Sequence, residues 1–200
     1  MKTLKLGGGV EIRSVFTDLF ETLTEHHAKT LFDDAQYFFR PREYYSNEET
    51  KKLGILKQNL GQPLRLNLGA FHQDDLIGWS WGIQESAEVF YMVNSAVLPA
   101  YRRKGIYSEL ISTMVKEVSG QGFQLIYSKH VATNNAVLIP KLKAGFTISA
   151  FELSDQYGVL VHLRWYANPL RRKMMDFRAG GIGADGEIKE ILNRHSLPRG

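Results

Sequence analysis

The stretch Val97-Leu-Pro-Ala-Tyr-Arg-Arg-Lys-Gly-Ile-Tyr-Ser108 decides how this chain is read. Before it, Val89 to Leu98 is a largely apolar run, which predicts a central strand buried on both faces and closed by Pro99, a residue with no N–H for the ladder. After it, Ile106, Leu110, Met114 and Val118 recur every four residues with Ile111 and Val115 beside them. That spacing predicts an amphipathic helix, closed at Ser119-Gly120. Arg102 to Gly105 are therefore a strand-to-helix turn, where the first helical N–H groups lack partners and the positive end of the helix dipole faces out. Gly105 removes the Cβ that would hold an anion away from the backbone, and Arg102, Arg103 and Lys104 add positive charge. The pattern suits a phosphate or diphosphate, and from local physics it suits equally an ordinary turn with solubilising basic residues.

Upstream, Leu64, Leu66 and Leu68 alternate with polar residues, His72 to Asp75 make a turn, and Trp79, Trp81 and Ile83 alternate again, which predicts an antiparallel hairpin with both tryptophans in the core. Further back, Ile12, Val15, Phe16, Leu19, Phe20 and Leu23 form one helical stripe, although Val10 to Arg13 equally fit a short strand entering it. Ser46-Asn-Glu-Glu49 is a capping-box pattern that starts a second helix, with Leu53, Leu56 and Leu60 as its apolar face and Gly61 as its stop. Downstream, Phe123 to Lys129 reads as a strand, residues 134–144 as a helix closed by Gly145, and residues 147–153 and 158–165 as a second hairpin. Helices between strands in the middle, with hairpins at both ends, indicate a mixed α/β sheet.

Composition narrows the chemistry. The 200 residues are 44% apolar and 23% charged, a globular balance for one domain, expected here as residues 1–165 followed by a basic tail, 166–200. That tail holds seven Lys and Arg against four Asp and Glu, so most of the net charge of +4 sits there. It is a candidate for closing over a site or for pairing two copies as a homodimer. With no helix-turn-helix and no aromatic stacking platform, a nucleic-acid partner is not expected. No window approaches a membrane span and the first residues lack a secretory signal, so a cytoplasmic location without membrane contact is expected. The absence of cysteine removes thiolate metal sites and thiol nucleophiles. His26-His27 is adjacent rather than spaced i, i+4, so no metal site is expected, and Gly7-Gly8-Gly9 lacks the Lys-Ser/Thr ending of a nucleotide P-loop.

Val97-x-Pro99-x-Tyr101-Arg102-x-x-Gly105 resembles motif A of the GNAT N-acetyltransferase superfamily. Asn134 followed by Lys141-Leu-Lys-Ala-Gly-Phe146 resembles that family's motif B. The ordered pair is far more specific than either part. The resemblance implies a mixed α/β fold with a V-splayed central sheet flanked by helices, in the order β-α-α-β-β-β-α-β-α-β-β. It implies acetyl-CoA as acyl donor. Its pantetheine would pair near Ala96 and Val97, its diphosphate would rest on the N–H groups of Arg102, Arg103, Lys104, Gly105, Ile106 and Tyr107, and Asn134 would assist. A backbone N–H at Val97 would polarise the thioester carbonyl, and a primary amine acceptor would attack directly in a ternary complex.

The sequence departs from the family in two places. Tyr107 stands where Gly or Ala is usual, and Lys141, preceded by Pro140, falls where many members carry the tyrosine that protonates the departing thiolate. A proline inside a helix costs about 3 kcal/mol, so this helix is expected to kink or begin late. The acid is then Lys141, Tyr127, solvent or no group at all. Tyr91 is the first candidate base, beside Glu88 and His130, whose imidazole has an ordinary pKa of about 6.5. The aromatic segment Tyr37 to Tyr45 lies where the family builds its acceptor pocket, and either lines that pocket or, as the residues suit rather better, merely packs. The competing reading is a CoA-binding regulatory or assembly module with little turnover.

Overall fold

The computed structural model describes residues 3–31 and 41–194. The chain falls into two compact units, residues 1–165 and 166–200. Tyr37, Phe38 and Phe39 lie outside the described residues, as does the side chain of His26.

The first unit is built on eight strands in one sheet: β1 (Leu4–Lys5), β2 (Val10–Ser14), β3 (Arg65–His72), β4 (Asp75–Gln84), β5 (Val89–Val97), β6 (Leu125–Val131), β7 (Thr147–Ser154) and β8 (Gly158–Tyr166). Their order is β1-β2-β3-β4-β5-β6-β8-β7. Neighbours from β1 to β5 run antiparallel, as do β7 and β8, while β5 and β6 run parallel. The helices of this unit are α1 (Thr17–Leu31), α2 (Asn47–Gln58), α3 (Ile106–Gly120) and α4 (Asn135–Lys143). The second unit holds α5 (Pro169–Arg178), whose N-terminus is capped by Asn168, and α6 (Gly186–Arg194).

Because side chains alternate across a strand, neighbouring residues report opposite faces of the sheet. Leu68, Ala70, Ile77, Phe90 and Met92 bury one face with α3 residues Leu110, Ile111 and Met114 and with Leu138 of α4. Phe71, Leu76 and Trp79 bury the other against Phe20 of α1. Both faces of the central strands are therefore covered. This explains Asn67, which the hairpin alternation put on a polar side: it is buried, and its amide donates to the Val15 carbonyl and Thr17 Oγ1, both at 3.3 Å.

Three sequence expectations are corrected. The stripe from Ile12 to Leu23 is not one helix: Val10–Ser14 form β2, and the reversal into α1 at Thr17 breaks the helical phase, leaving Phe16 89% exposed. The strand expected from Phe123 runs from Leu125 to Val131 instead, after a turn at Gly122 with φ of 102°. The Ser46–Glu49 capping box is present in full, yet α2 buries none of its residues, so Leu53 and Leu56 are exposed rather than core-facing. Trp79 is core as expected, while Trp81 is only partly buried, beneath the Arg65 guanidinium at 4.5 Å.

The feature that positions the site is the parting of β5 and β6. Their register runs Val89↔Leu125, Phe90↔Ile126 and Tyr91↔Tyr127, and no further pair follows. Beyond Tyr91 the strand β5 continues against β4 to Val97, with a bulge opposite Trp81 and Gly82. On its other edge every second residue of β5 therefore turns its N–H and C=O into a gap.

Candidate active site

The gap ends at the strand-to-helix turn. A 3-10 turn at Pro99–Tyr101 leads into Arg103, whose φ is +61°, and Gly105, whose φ is +79°. A left-handed arginine is a strained position, and two such residues in so short a loop fold the chain sharply onto the start of α3. No side chain caps that helix, and its first internal bond runs from the Glu109 N–H to the Gly105 carbonyl at 3.1 Å. The N–H groups of Ile106, Tyr107 and Ser108 thus precede the helical ladder, and a Cβ placed on Gly105 would meet nothing within 4 Å. The turn is open to an anion at the positive helix end.

The basic residues differ in what they do. Arg102 folds back and donates Nε–H to the Val97 carbonyl at 3.1 Å, tying the loop to the end of β5. Lys104 holds its ammonium 5.1 Å from the Tyr101 ring, and Arg103 is exposed. Tyr107 turns away from the loop and packs on the core cluster beside α3. Its hydroxyl is buried with no hydrogen-bond partner among the described residues, and burial raises its pKa. A cavity of about 790 Å³ flanks this turn, lined by Gly7, Val10, His72, Tyr101, Lys104 and Gly105. Bordered by β2 and β3 rather than β6, it lies on the side of the loop away from the gap.

At the other end of the gap, α4 delivers Lys141. The helix contains Pro140 and ends at Lys143, with Asn134 at its exposed N-terminal boundary, making no side-chain cap. Phe146 N–H donates to the Lys141 carbonyl and Gly145 N–H to the Leu142 carbonyl, both at 3.1 Å, with Gly145 at φ of 90°. This is a Schellman closure, which needs a residue tolerant of positive φ and brings the residue after it back onto the helix. Here that residue is Phe146, whose ring lies 5.2 Å from Lys141 Nζ. The Gly145-Phe146 pair thus fixes where Lys141 points.

Lys141 is 1% exposed. Its Nζ donates to Ser128 Oγ at 2.7 Å and lies 3.7 Å from Met92 Sδ. Met92 and Ser128 are the first residues of β5 and β6 beyond their last pair, so the amine spans the vertex where the strands part. Burial alone lowers its pKa to about 7. Behind Ser128 stands His130, with Nε2 at 2.9 Å from the same Oγ and a pKa lowered to about 3 by burial first and Lys141 second.

Tyr91 is on the opposite face. It stacks on Tyr127 at 4.8 Å, and burial raises its pKa above the ordinary phenol value. Tyr127 donates to the Glu85 carboxylate, and Glu152 accepts from Lys129 and pairs with His162, both at 2.7 Å. Glu85, Tyr127, Lys129 and His162 line a cavity of about 220 Å³ bordered also by Arg164. The structure therefore joins Lys141 and His130 through Ser128, separates both from Tyr91 by the thickness of the sheet, and leaves Glu88 at the strand entry. Ser128, Met92, Glu85, Glu152 and His162 were not singled out from sequence. Glu85 follows the end of β4 and the others lie inside ordinary strand patterns, and only the register assembles them.

The family model for the acetyltransferase (GNAT) family matches residues 21–146, more than half of the chain. The chain belongs to that family. This acetyltransferase is an acyltransferase enzyme, and its open mixed sheet flanked by helices is the architecture of solved relatives. The ribosomal-protein-S5-alanine acetyltransferase of Vibrio fischeri superposes with a TM-score of 0.61 at 9% identity, over 84% of this chain and 98% of that one. The ribosomal-protein-S18-alanine N-acetyltransferase of Escherichia coli gives 0.55 at 16%, over 80% and 94%. A Salmonella typhimurium structure, yncA, determined with its cofactor acetyl-CoA, gives 0.57 at 15%, over 80% and 94%. No curated protein is similar enough in sequence to count as a relative. Among the described residues no helix is long and apolar enough to cross a membrane, and no group of His, Asp and Glu could hold a metal ion.

Proposed function

We propose that this acetyltransferase moves an acetyl group from acetyl-CoA to a primary amine by direct attack within a ternary complex, with Lys141 as the general acid. The observation that carries the reading is the Lys141 amine at the vertex of a gap whose other end is an uncapped helix terminus. Acetyl-CoA supplies the thioester. The N–H groups around Gly105 and Ile106, with Arg103 and Lys104, would hold its diphosphate, and Asn134 would lie beside it. The gap edge of β5 near Ala96 and Val97 would pair with the pantetheine arm.

Val97 and Met92 are five residues apart on β5, about 16 Å at strand rise. One thioester cannot meet both Val97 N–H and Lys141. In this reading Val97 serves the arm, and the donor to the carbonyl oxygen lies nearer Met92. An acid with a pKa of about 7 protonates a departing thiolate of ordinary pKa, about 8.5, downhill. As the amine nitrogen bonds to the carbonyl carbon and the C–S bond breaks, the Lys141 proton passes to sulfur, and the proton shed by the nitrogen leaves through solvent water, from which Lys141 is reprotonated. His130, neutral throughout the physiological range, acts as a hydrogen-bond partner rather than the base. Tyr91 has a raised pKa and keeps its proton, so it orients the acceptor on the far face.

Two relatives are named for ribosomal-protein alanines, so peptides beginning with alanine head the acceptor panel, followed by small primary amines. Incubated with acetyl-CoA, at least one is expected to gain an acetyl group by mass spectrometry. Saturating acetyl-CoA at about a hundredfold over Kd should also stabilise the fold by about 2.7 kcal/mol, seen as a higher Tm. Absence of any Tm shift with acetyl-CoA rejects the reading. A shift without transfer to any amine favours a CoA-binding regulatory or assembly module.

A further inference from the structure

We propose that Ser128 is a positioning residue for the Lys141 amine, oriented in turn by His130. The inference rests on the reading of Lys141 as the acid. Ser128 is wholly buried, on the first position of β6 past its pairing with β5, and it shares a face with Ile126 and the apolar cluster under α3. A hydroxyl in such surroundings is costly unless bonded, and here it has two partners within hydrogen-bond distance. Lysine reaches the vertex on four flexible methylenes. Of the atoms facing its Nζ, the Met92 sulfur is a weak acceptor and the Phe146 ring is a broad target, so the Ser128 oxygen is the one directional anchor.

The direction of each bond follows from the donors. As an ammonium Lys141 has only protons to give, so Ser128 Oγ accepts from it, which leaves the Ser128 hydroxyl proton to be donated to His130 Nε2 when that nitrogen is unprotonated. The low pKa of about 3 keeps the imidazole neutral, and this bond needs the tautomer with its proton on Nδ1. The groups facing the amine are thus Met92 from β5, Ser128 with His130 behind it from β6, and Phe146 after α4. Among the described residues, His130 is the titratable one and contributes no charge above that pH. Ser128 favours the protonated amine, because an acceptor bonded to a charged donor stabilises the charged form.

The test uses full-length protein labelled with 13C-lysine, titrating the Lys141 Cε resonance, which is assigned by its loss in Lys141→Met. In Ser128→Ala the midpoint is expected to move down by about one pH unit, since bonds to charged groups are worth that much or more. Ser128→Thr, which keeps the hydroxyl, should bring it back to the wild-type value, with melting curves showing both variants folded. An unchanged midpoint in Ser128→Ala, or a folded Ser128→Thr that fails to restore it, overturns the proposal. Acetyl transfer that survives in Lys141→Met sinks the acid reading alone, because the titration reads Ser128 without turnover.

Discussion

Lys141 is an expensive residue for this fold. Its pKa is about 7 when folded against 10.5 unfolded. The unfolded chain therefore binds more protons between those values, and stability rises with pH across that window. Below pH 7 both states are protonated and the folded state carries the whole burden of a buried cation. Lys141→Met is thus expected to raise Tm near neutral pH by an amount on the order of 3 kcal/mol in stability, with the advantage shrinking toward pH 10. Melting curves from pH 6 to 10 check this, and a gain that is flat with pH contradicts it. A buried amine that destabilises its own fold, at the point where two strands part, is what a tuned acid requires. The sequence marked Lys141 through the resemblance around Gly145-Phe146, as one of several candidates for the acid. Its surroundings were not legible in the sequence, because Met92 comes from β5 and Ser128 and His130 from β6, and alternation gives each residue a face but not the neighbour on the other strand.

Among the elements, β5 carries the design. The bulge opposite Trp81 and Gly82 lets Asn94 accept from Trp79 Nε1 at 2.8 Å while Phe90 and Met92 stay in the core. Gly82 is required there: a Cβ would come within 2.4 Å of the Tyr91 carbonyl and the Phe90 ring. Gly82→Ala should destabilise the protein by about 1–3 kcal/mol, the cost of forcing atoms into a packed core, and should disturb the vertex next to it. Chemical denaturation measures the first effect, and a neutral result would mean that β4 and β5 can shift apart freely. Periodicity foretold β5, α3 and both hairpins, since strong single-period patterns are hard to misread. It failed at α1 and α2 for different reasons. The Ile12–Leu23 stripe ran a strand and a helix together, because the apolar residues of the two happen to be spaced as on one helix. The leucines of α2 have helical spacing without a surface to bury them, and its capping box, present as expected, satisfies helix ends whether or not the helix packs.

For the whole molecule, motif order carried more information than composition. The basic loop alone fitted an anion site or a plain turn, and Asn134 with Gly145-Phe146 made it half of a pair whose intervening strand and helix the fold reproduces. The splay itself, with its vertex at Tyr91↔Tyr127, came only through the resemblance, because no local pattern tells a strand where to part from its neighbour. In the proposed mechanism Lys141 gives its proton to the departing thiolate. The most direct measurement is the rate of free CoA thiol release from acetyl-CoA with the best amine acceptor, for wild type and Lys141→Met at pH 7. Loss of a general acid should lower that rate about 10²-fold or more, with acetyl-CoA binding retained. Equal rates in the two proteins would contradict the account.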